Sequence, residues 1–266
     1  MSLSLILHNF YIGRRGRAHK SFIDNYLRPN VLYTNREFPC ILARMWYNVG
    51  MKTSTIYQKS IKPPAESKTG VLKKGSQNKK LGFKVTAKKW RGKRLYSLTL
   101  TERDTCDTSC HHWEDCYGNN MPFAHRFSTV GLIPKLREEV AELLAKHKEG
   151  VVIRLHVLGD FYSKEYVNFW GDMLRDYPKL CIFGYTGLPL DKDFGVGWMN
   201  AFFRDRCVIR YSKNESYFGA FKESYAADES FEGDSFTCPE QEGKVKSCAA
   251  CGLCWTVTKT VKFLSH

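Results

Sequence analysis

The sequence predicts an α/β protein: a partial parallel β/α barrel with a basic N-terminal arm and a cysteine-rich C-terminal segment. Three observations predict it. Strand-like runs begin near residues 151, 180 and 206, spaced 29 and then 26 residues apart, with helical stretches between them. Units of that length are βα repeats, whose right-handed crossovers demand a parallel sheet. Seven of the ten cysteines fall into two tight groups, Cys106, Cys110 and Cys116, then Cys238, Cys248, Cys251 and Cys254. The excess positive charge is confined to the first hundred residues.

Taken in order, residues 1–50 carry a net +5 and include Tyr11, Tyr26, Phe38 and Trp46 without a clean repeat. They are expected to form a peripheral segment. Met51 opens the basic stretch and is a candidate start for the native chain. Residues 51–100 carry a net +13, with Glu66 as their single acid, and residues 101–266 a net −4. The stretch 51–94, with Pro63-Pro64 and Lys73-Lys74-Gly75-Ser76-Gln77-Asn78-Lys79-Lys80, has no sustained apolar period. It reads as a flexible basic arm, either solvated and inert or, through residues 52–94, in contact with the phosphates of DNA or RNA.

A β/α domain is expected over 95–266. Leu95–Leu100 alternates as a strand should. From Pro134 to His147, Leu136, Val140, Leu143 and Leu144 share one helical face, and Gly150 ends it. Val151–Val157 is a strand, and Ser163 caps a helix through Val167, Trp170 and Leu174 that ends before Pro178. Leu180–Tyr185, a helix near Gly197–Phe203, and Arg206–Tyr211 complete the series. Ligands in such sheets sit at the carboxyl ends of the strands. One rim is therefore expected from the cysteine loop after Leu100, the turn His156–Asp160, Tyr185-Thr186 and Tyr211-Ser212.

The cysteines carry the chemistry. Cys248-x2-Cys251-x2-Cys254, with Cys238 remote and followed by Pro239, suits a closed [4Fe–4S] cluster. Zinc is the alternative, since it also takes cysteines in C-x2-C pairs. Cys106-x3-Cys110-x5-Cys116 lacks a fourth cysteine. His111, His112 or His125 would close a zinc site there; a second [4Fe–4S] cluster would keep one iron open for chemistry. Two clusters are thus expected, one reactive and one bracing or relaying electrons. Trp255, beside Cys254, would shield the latter from solvent.

Three cysteines after the first strand of a parallel βα sheet resemble the cluster loop of radical S-adenosylmethionine enzymes. The resemblance implies that an open iron at Cys106, Cys110 and Cys116 chelates S-adenosylmethionine. Leu158-Gly159-Asp160 is similar to the segment that holds that cofactor's amino group, and Tyr117 to the aromatic residue beside the last ligand. The last gap here is five residues where that superfamily has two. A second resemblance covers about residues 79–266. It is carried by Trp90-Arg91-Gly92, Leu98-Thr99-Leu100, Cys116–Met121, His156–Ser163, Phe183–Thr186 and Cys251-Gly252-Leu253-Cys254-Trp255. These runs are similar to the phage and prophage family named after gene product 88, which implies a mobile-element setting and no particular reaction.

Within the rim, His156 is a candidate acid, base or ligand, and Asp160 and Asn119 are further catalytic candidates. The plainer alternatives are a core histidine, a turn-capping aspartate and a Gly118-Asn119-Asn120 turn. Tyr117, Gly159, Asp160, Tyr185, Thr186 and Tyr211 are the candidate cofactor contacts. Cys181 and Cys207 read as buried apolar thiols. No Walker loop, His-Glu-x-x-His helix or Gly-x-Ser-x-Gly elbow is present, so nucleotide-triphosphatase and hydrolase readings lack an anchor. No apolar run approaches the roughly 18–20 residues of a membrane span. The expected setting is the cytoplasm of a bacterial host.

Overall fold

The computed structural model describes residues 54–110, 112–212, 223–226 and 234–264. The peripheral segment 1–50, Met51 and His111 lie outside the described residues. No helix among the described residues is long and apolar enough to cross a membrane.

Ten strands are described. They are β1 (Ile61–Lys62), β2 (Lys73–Lys74), β3 (Arg94–Ser97), β4 (Arg126–Phe127), β5 (Val151–Leu155), β6 (Leu180–Thr186), β7 (Cys207–Ser212), β8 (Glu223–Ala226), β9 (Ser235–Thr237) and β10 (Thr260–Phe263). Eight of them form one sheet in the order β2-β3-β5-β6-β7-β8-β10-β9, while β1 pairs with β4. Only β2 runs antiparallel in the large sheet. The parallel sheet foreseen from the spacing is therefore present, and it is open, ending at β2 and β9 rather than closing.

Helices α1 (Leu132–Lys146), α2 (Lys164–Asp176) and α3 (Val196–Phe202) connect the central strands. Ser163 caps α2, its hydroxyl accepting from the Tyr166 amide at 3.2 Å. The helix buries Tyr166, Val167, Phe169, Trp170, Met173 and Leu174. Helix α1 starts at Leu132, two residues before the expected Pro134. Proline is tolerated in the first turn because its missing N–H would have had no intrahelical partner.

Alternation along the strands divides two cores. Val151, Ile153, Leu155, Leu180, Ile182, Cys207 and Ile209 pack with α1, α2 and α3. Val152, Cys181, Phe183 and Val208 face the other way, against Leu81, Val85 and Trp90 and the short helices α4 (Cys248–Cys251) and α5 (Leu253–Thr256). Cys181 and Cys207 are buried thiols, as expected.

The flexible arm expected over 51–94 requires correction. From residue 54 onward it is a packed layer, with Val71, Leu72, Leu81, Val85 and Trp90 buried. Glu139 on α1 accepts from the amides of Val71 and Leu72 at 2.7 to 2.9 Å. The amides of Thr86 and Ala87 donate to the Ala249 carbonyl, and that of Ala249 to Leu81. Trp90 stacks on Trp255 at 5.3 Å and donates from Nε1 to the Asp205 carbonyl at 2.8 Å. A few apolar anchors placed without period suffice to fix a lysine-rich layer, because each indole or branched side chain removes a large apolar area from water.

Candidate functional site

Beyond Ser97 the chain runs on beside β5, the amides of Leu98 and Leu100 donating to the carbonyls of Arg154 and Leu158 at 3.2 and 3.0 Å. It then leaves the sheet as the loop that carries Cys106, Cys110 and Cys116, all half-buried free thiols. Buried polar groups hold this loop. Arg126, fully buried, donates from Nε to Glu102 Oε2 at 2.7 Å and to the carbonyls of Gly118, Met121 and Ala124. Arg103 donates to the Trp113 carbonyl and to Asn119 Oδ1. The Thr105 hydroxyl donates to the Thr101 carbonyl and accepts from the Asp160 amide at 3.1 Å.

That last contact ties the loop to the end of β5. Gly159 makes the approach possible: its φ is +82°, and a Cβ there would stand 2.5 Å from Thr105 Oγ1 and 2.6 Å from Leu100 Cβ. Asp160, 6% exposed, accepts from the amides of Phe161 and Gly187, each at 2.7 Å. Its Oδ2 and the Cys110 sulfur lie on the same side of Gly187, each 3.8 Å from where a Cβ would sit. Burial pushes the Asp160 carboxyl up to about 6, against the pull of the Gly187 and Phe161 amides and the Thr186 hydroxyl. Burial also raises the thiols of Cys106, Cys110 and Cys116, and the Asp160 charge adds to this at the first two. Only a bound cation would hold such thiols as thiolates at neutral pH.

Cys106, Cys110, Cys116, Gly159, Asp160 and Thr186 are therefore neighbours at the strand ends, with Tyr117 exposed alongside. Three other candidates are placed elsewhere. His156 faces α2: its Nε2 is 2.9 Å from the Tyr166 hydroxyl, and the Phe161 ring meets it edge-on at 5.0 Å. Burial lowers its pKa to about 3, so it is neutral there. Tyr211 also lies on the helical side, donating to Asp193 at 3.0 Å. Asn119 spends its amide on bracing, accepting from Arg103 and donating to the Glu114 carbonyl.

The C-terminal group is built differently. Ser247 caps α4, accepting from the Ala250 amide at 3.3 Å. Gly252, at φ +68°, ends α4 and opens α5; a Cβ there would meet that of Ala87 at 2.5 Å. These two single turns carry Cys248, Cys251 and Cys254, while Cys238 follows β9, its amide donating to the Lys262 carbonyl. All four cysteines line one small cavity with Pro239, Leu253 and Trp255. Burial pushes the Cys248 thiol up to about 12 and raises Cys251 and Cys254. Tyr185, placed by sequence at the rim, meets the Phe263 ring edge-on at 5.3 Å and lies near the Cys254 thiol, so it belongs to this group. Arg210 fastens the turn to β7, donating to the carbonyls of Cys254, Val257 and Lys259 at 2.8 to 2.9 Å.

Among the described residues, no three Cys, His, Asp or Glu side chains are grouped so as to hold a metal ion. Two features escaped the sequence reading. The Glu102–Arg126 pair carried no periodic signal. Arg154 did carry one, as the lone charge in the apolar run Val151–Val157.

A family model described as Gene product 88 matches residues 119–257, more than half of the 266 residues. The match takes in the C-terminal cysteines and begins just after Cys116. The Gene 88 protein of Mycobacterium phage L5 is 24% identical over 173 residues, covering 58% of this chain and 69% of that protein. No solved structure matches.

Proposed function

The chain belongs to the gene product 88 family of phage proteins, and from that premise we propose that it is an iron–sulfur enzyme, similar to radical S-adenosylmethionine proteins, acting on a nucleic-acid or other polyanionic substrate. One observation carries the reading: Asp160 at the end of β5 is locked against the Cys106–Cys116 loop at the end of β3, through Thr105 and Gly159. The consecutive order β3-β5-β6-β7-β8, with α1, α2 and α3 on one face, supports an open, partial β/α barrel with that site at its mouth.

The residues fit the clusters by their donor chemistry. Four thiols around one cavity suit a closed [4Fe–4S] site, and three thiols with no fourth suit an open one. A tetranuclear cluster also spreads its thiolates wider than the single zinc ion, whose bonds are about 2.3 Å. When bound, the open cluster would supply a Lewis-acidic position and an electron. The chain's own part is positional. Asp160, held by two amides, offers a carboxylate or carboxyl oxygen to an amino group beside the trio. Thr186 steadies it, and the Glu102–Arg126 and Arg103–Asn119 contacts keep the loop in place together with the buried Trp113. Trp255 and Trp90 keep water from the C-terminal site.

The packed lysine layer supports the substrate class. Lys59, Lys62, Lys68, Lys74, Lys79, Lys84, Lys88 and Arg91 stand exposed on it. Such a fixed array neutralises phosphates at lower entropic cost than a mobile tail. It equally favours a second reading, a non-catalytic nucleic-acid-binding phage protein stabilised by zinc or closed clusters.

Anaerobic purification with metal and sulfide analysis separates the two. A brown protein with about eight irons per chain that cleaves S-adenosylmethionine under a strong reductant supports the enzyme; a colourless zinc protein without that activity rejects it.

A further inference from the structure

The fold draws four guanidinium groups inward and gives three of them oxygen acceptors, although Arg103 keeps one buried nitrogen, Nη1, without a partner among the described residues. Arg126 is met by Glu102 and three carbonyls, Arg210 by three carbonyls, and Arg103 by the Trp113 carbonyl and Asn119. Arg154 differs. It lies in the middle of an otherwise apolar strand, β5, and alternation puts its side chain on the face away from α1 and α2. Its Nε is buried with no acceptor among the described residues. The contact it does make is with a ring: its guanidinium carbon stands 5.4 Å from the centre of Tyr185.

Among the described residues no ion pair joins it to a carboxylate within 4 Å. Ser97 and Phe183 are its register neighbours on β3 and β6. Tyr117, from the early cysteine loop, and Tyr185, Cys248 and Cys254 are titratable groups close enough to it to interact. Arg154 thus stands near Tyr117 of the early loop and near Cys248 and Cys254, while Arg103 and Arg126 are the cations that act on Cys116. The residue is half-buried, with its Nε out of contact with water. An arginine cannot shed its charge in a protein, and an unpaired guanidinium withdrawn from water is costly. Its planar fork matches a carboxylate or a phosphate.

We infer that Arg154 is the recognition point for the oxyanion, carboxylate or phosphate, of a small-molecule ligand held between the two cysteine groups, with the hydroxyls of Tyr117 and Tyr185 at its sides. The inference rests on the proposed function for the ligand's place beside the reactive loop; the anion itself follows from Arg154 alone.

The test is calorimetric titration of the anaerobically purified full chain with pyrophosphate and, separately, succinate. Wild type is compared with Arg154→Gln and Arg154→Lys, and metal content is measured in parallel. The expected result is binding of one probe by wild type, weakened about tenfold or more in Arg154→Gln and partly kept in Arg154→Lys, with metal content unchanged. The probe that binds distinguishes a phosphate from a carboxylate ligand. Equal binding by wild type and Arg154→Gln, or no binding of either probe by wild type, overturns the inference. So does loss of metal from Arg154→Gln, which would make Arg154 the counter-charge of the thiolates instead. Should the variants misfold, phenylglyoxal labelling of wild type decides: the bound probe must slow modification of the Arg154 peptide, and an unchanged rate is fatal. A metal-free chain that still binds pyrophosphate through Arg154 would end the iron–sulfur reading and leave this one standing.

Discussion

Around Cys106, Cys110 and Cys116 the chain is irregular and is held by buried arginine, carboxylate and threonine groups; around Cys248, Cys251 and Cys254 it is helical and held by stacked indoles. The first group has three thiols and a carboxylate, the second four thiols about one cavity. Polar fastening fixes direction without filling space, because each hydrogen bond has an angular preference and leaves room beside it. Apolar packing fills space and closes it. The difference teaches that one residue type is set in two frames, one fixed by directional polar contacts and one by packed rings, although the thiols of both are half-exposed except for the buried Cys238.

Four measurements break or sharpen that contrast. The largest effect is expected from Arg126→Met, which strands the buried Glu102 carboxylate. Chemical denaturation should show a loss of about 3–5 kcal/mol, and a loss under about 1 kcal/mol would mean the early loop is held by something else. Trp90→Ala opens a void beneath the C-terminal group and should cost about 3 kcal/mol by the same assay; a neutral result would deny the indole stack its sealing role.

The third effect is a pH dependence. His156 is neutral in the fold, its pKa lowered to about 3 by burial, against about 6.5 when unfolded. Below 6.5 the unfolded chain therefore binds more protons, and stability falls as pH falls. Between pH 7 and pH 5 this single group should remove about 2 kcal/mol. His156→Gln should flatten the slope by that amount, and an unaltered slope would place His156 in water. The smallest effect on stability belongs to Cys110→Ser, within about 1 kcal/mol of wild type, while the proposed pair of clusters predicts that iron content drops by about half. A collapse of the fold in that variant would erase the distinction between the two groups.

Much of this architecture was legible from sequence. The strands expected near 151, 180 and 206 and the Ser163 cap announce themselves by spaced apolar runs and by side-chain chemistry, and the structure keeps them, the third starting at Cys207. The layer over 54–94 did not, because Val71, Leu81, Val85 and Trp90 follow no period that an isolated segment could reveal. At the site, spacing placed Gly159, Asp160 and Thr186 beside the early cysteines. It misplaced Tyr185, His156 and Tyr211 for one shared reason. A position at a strand end fixes the height of a side chain and leaves its face to the strand's exact register.

The meeting of Leu81–Trp90 with Ala249 and Trp255 has a consequence for how the chain is made. A ribosome adds roughly 5–20 residues each second, so the lysine layer waits on the order of ten to thirty seconds for its covering partners to emerge. Through that interval its indole and valine side chains stay uncovered, and the nascent polypeptide depends on its own charge to remain apart from its neighbours.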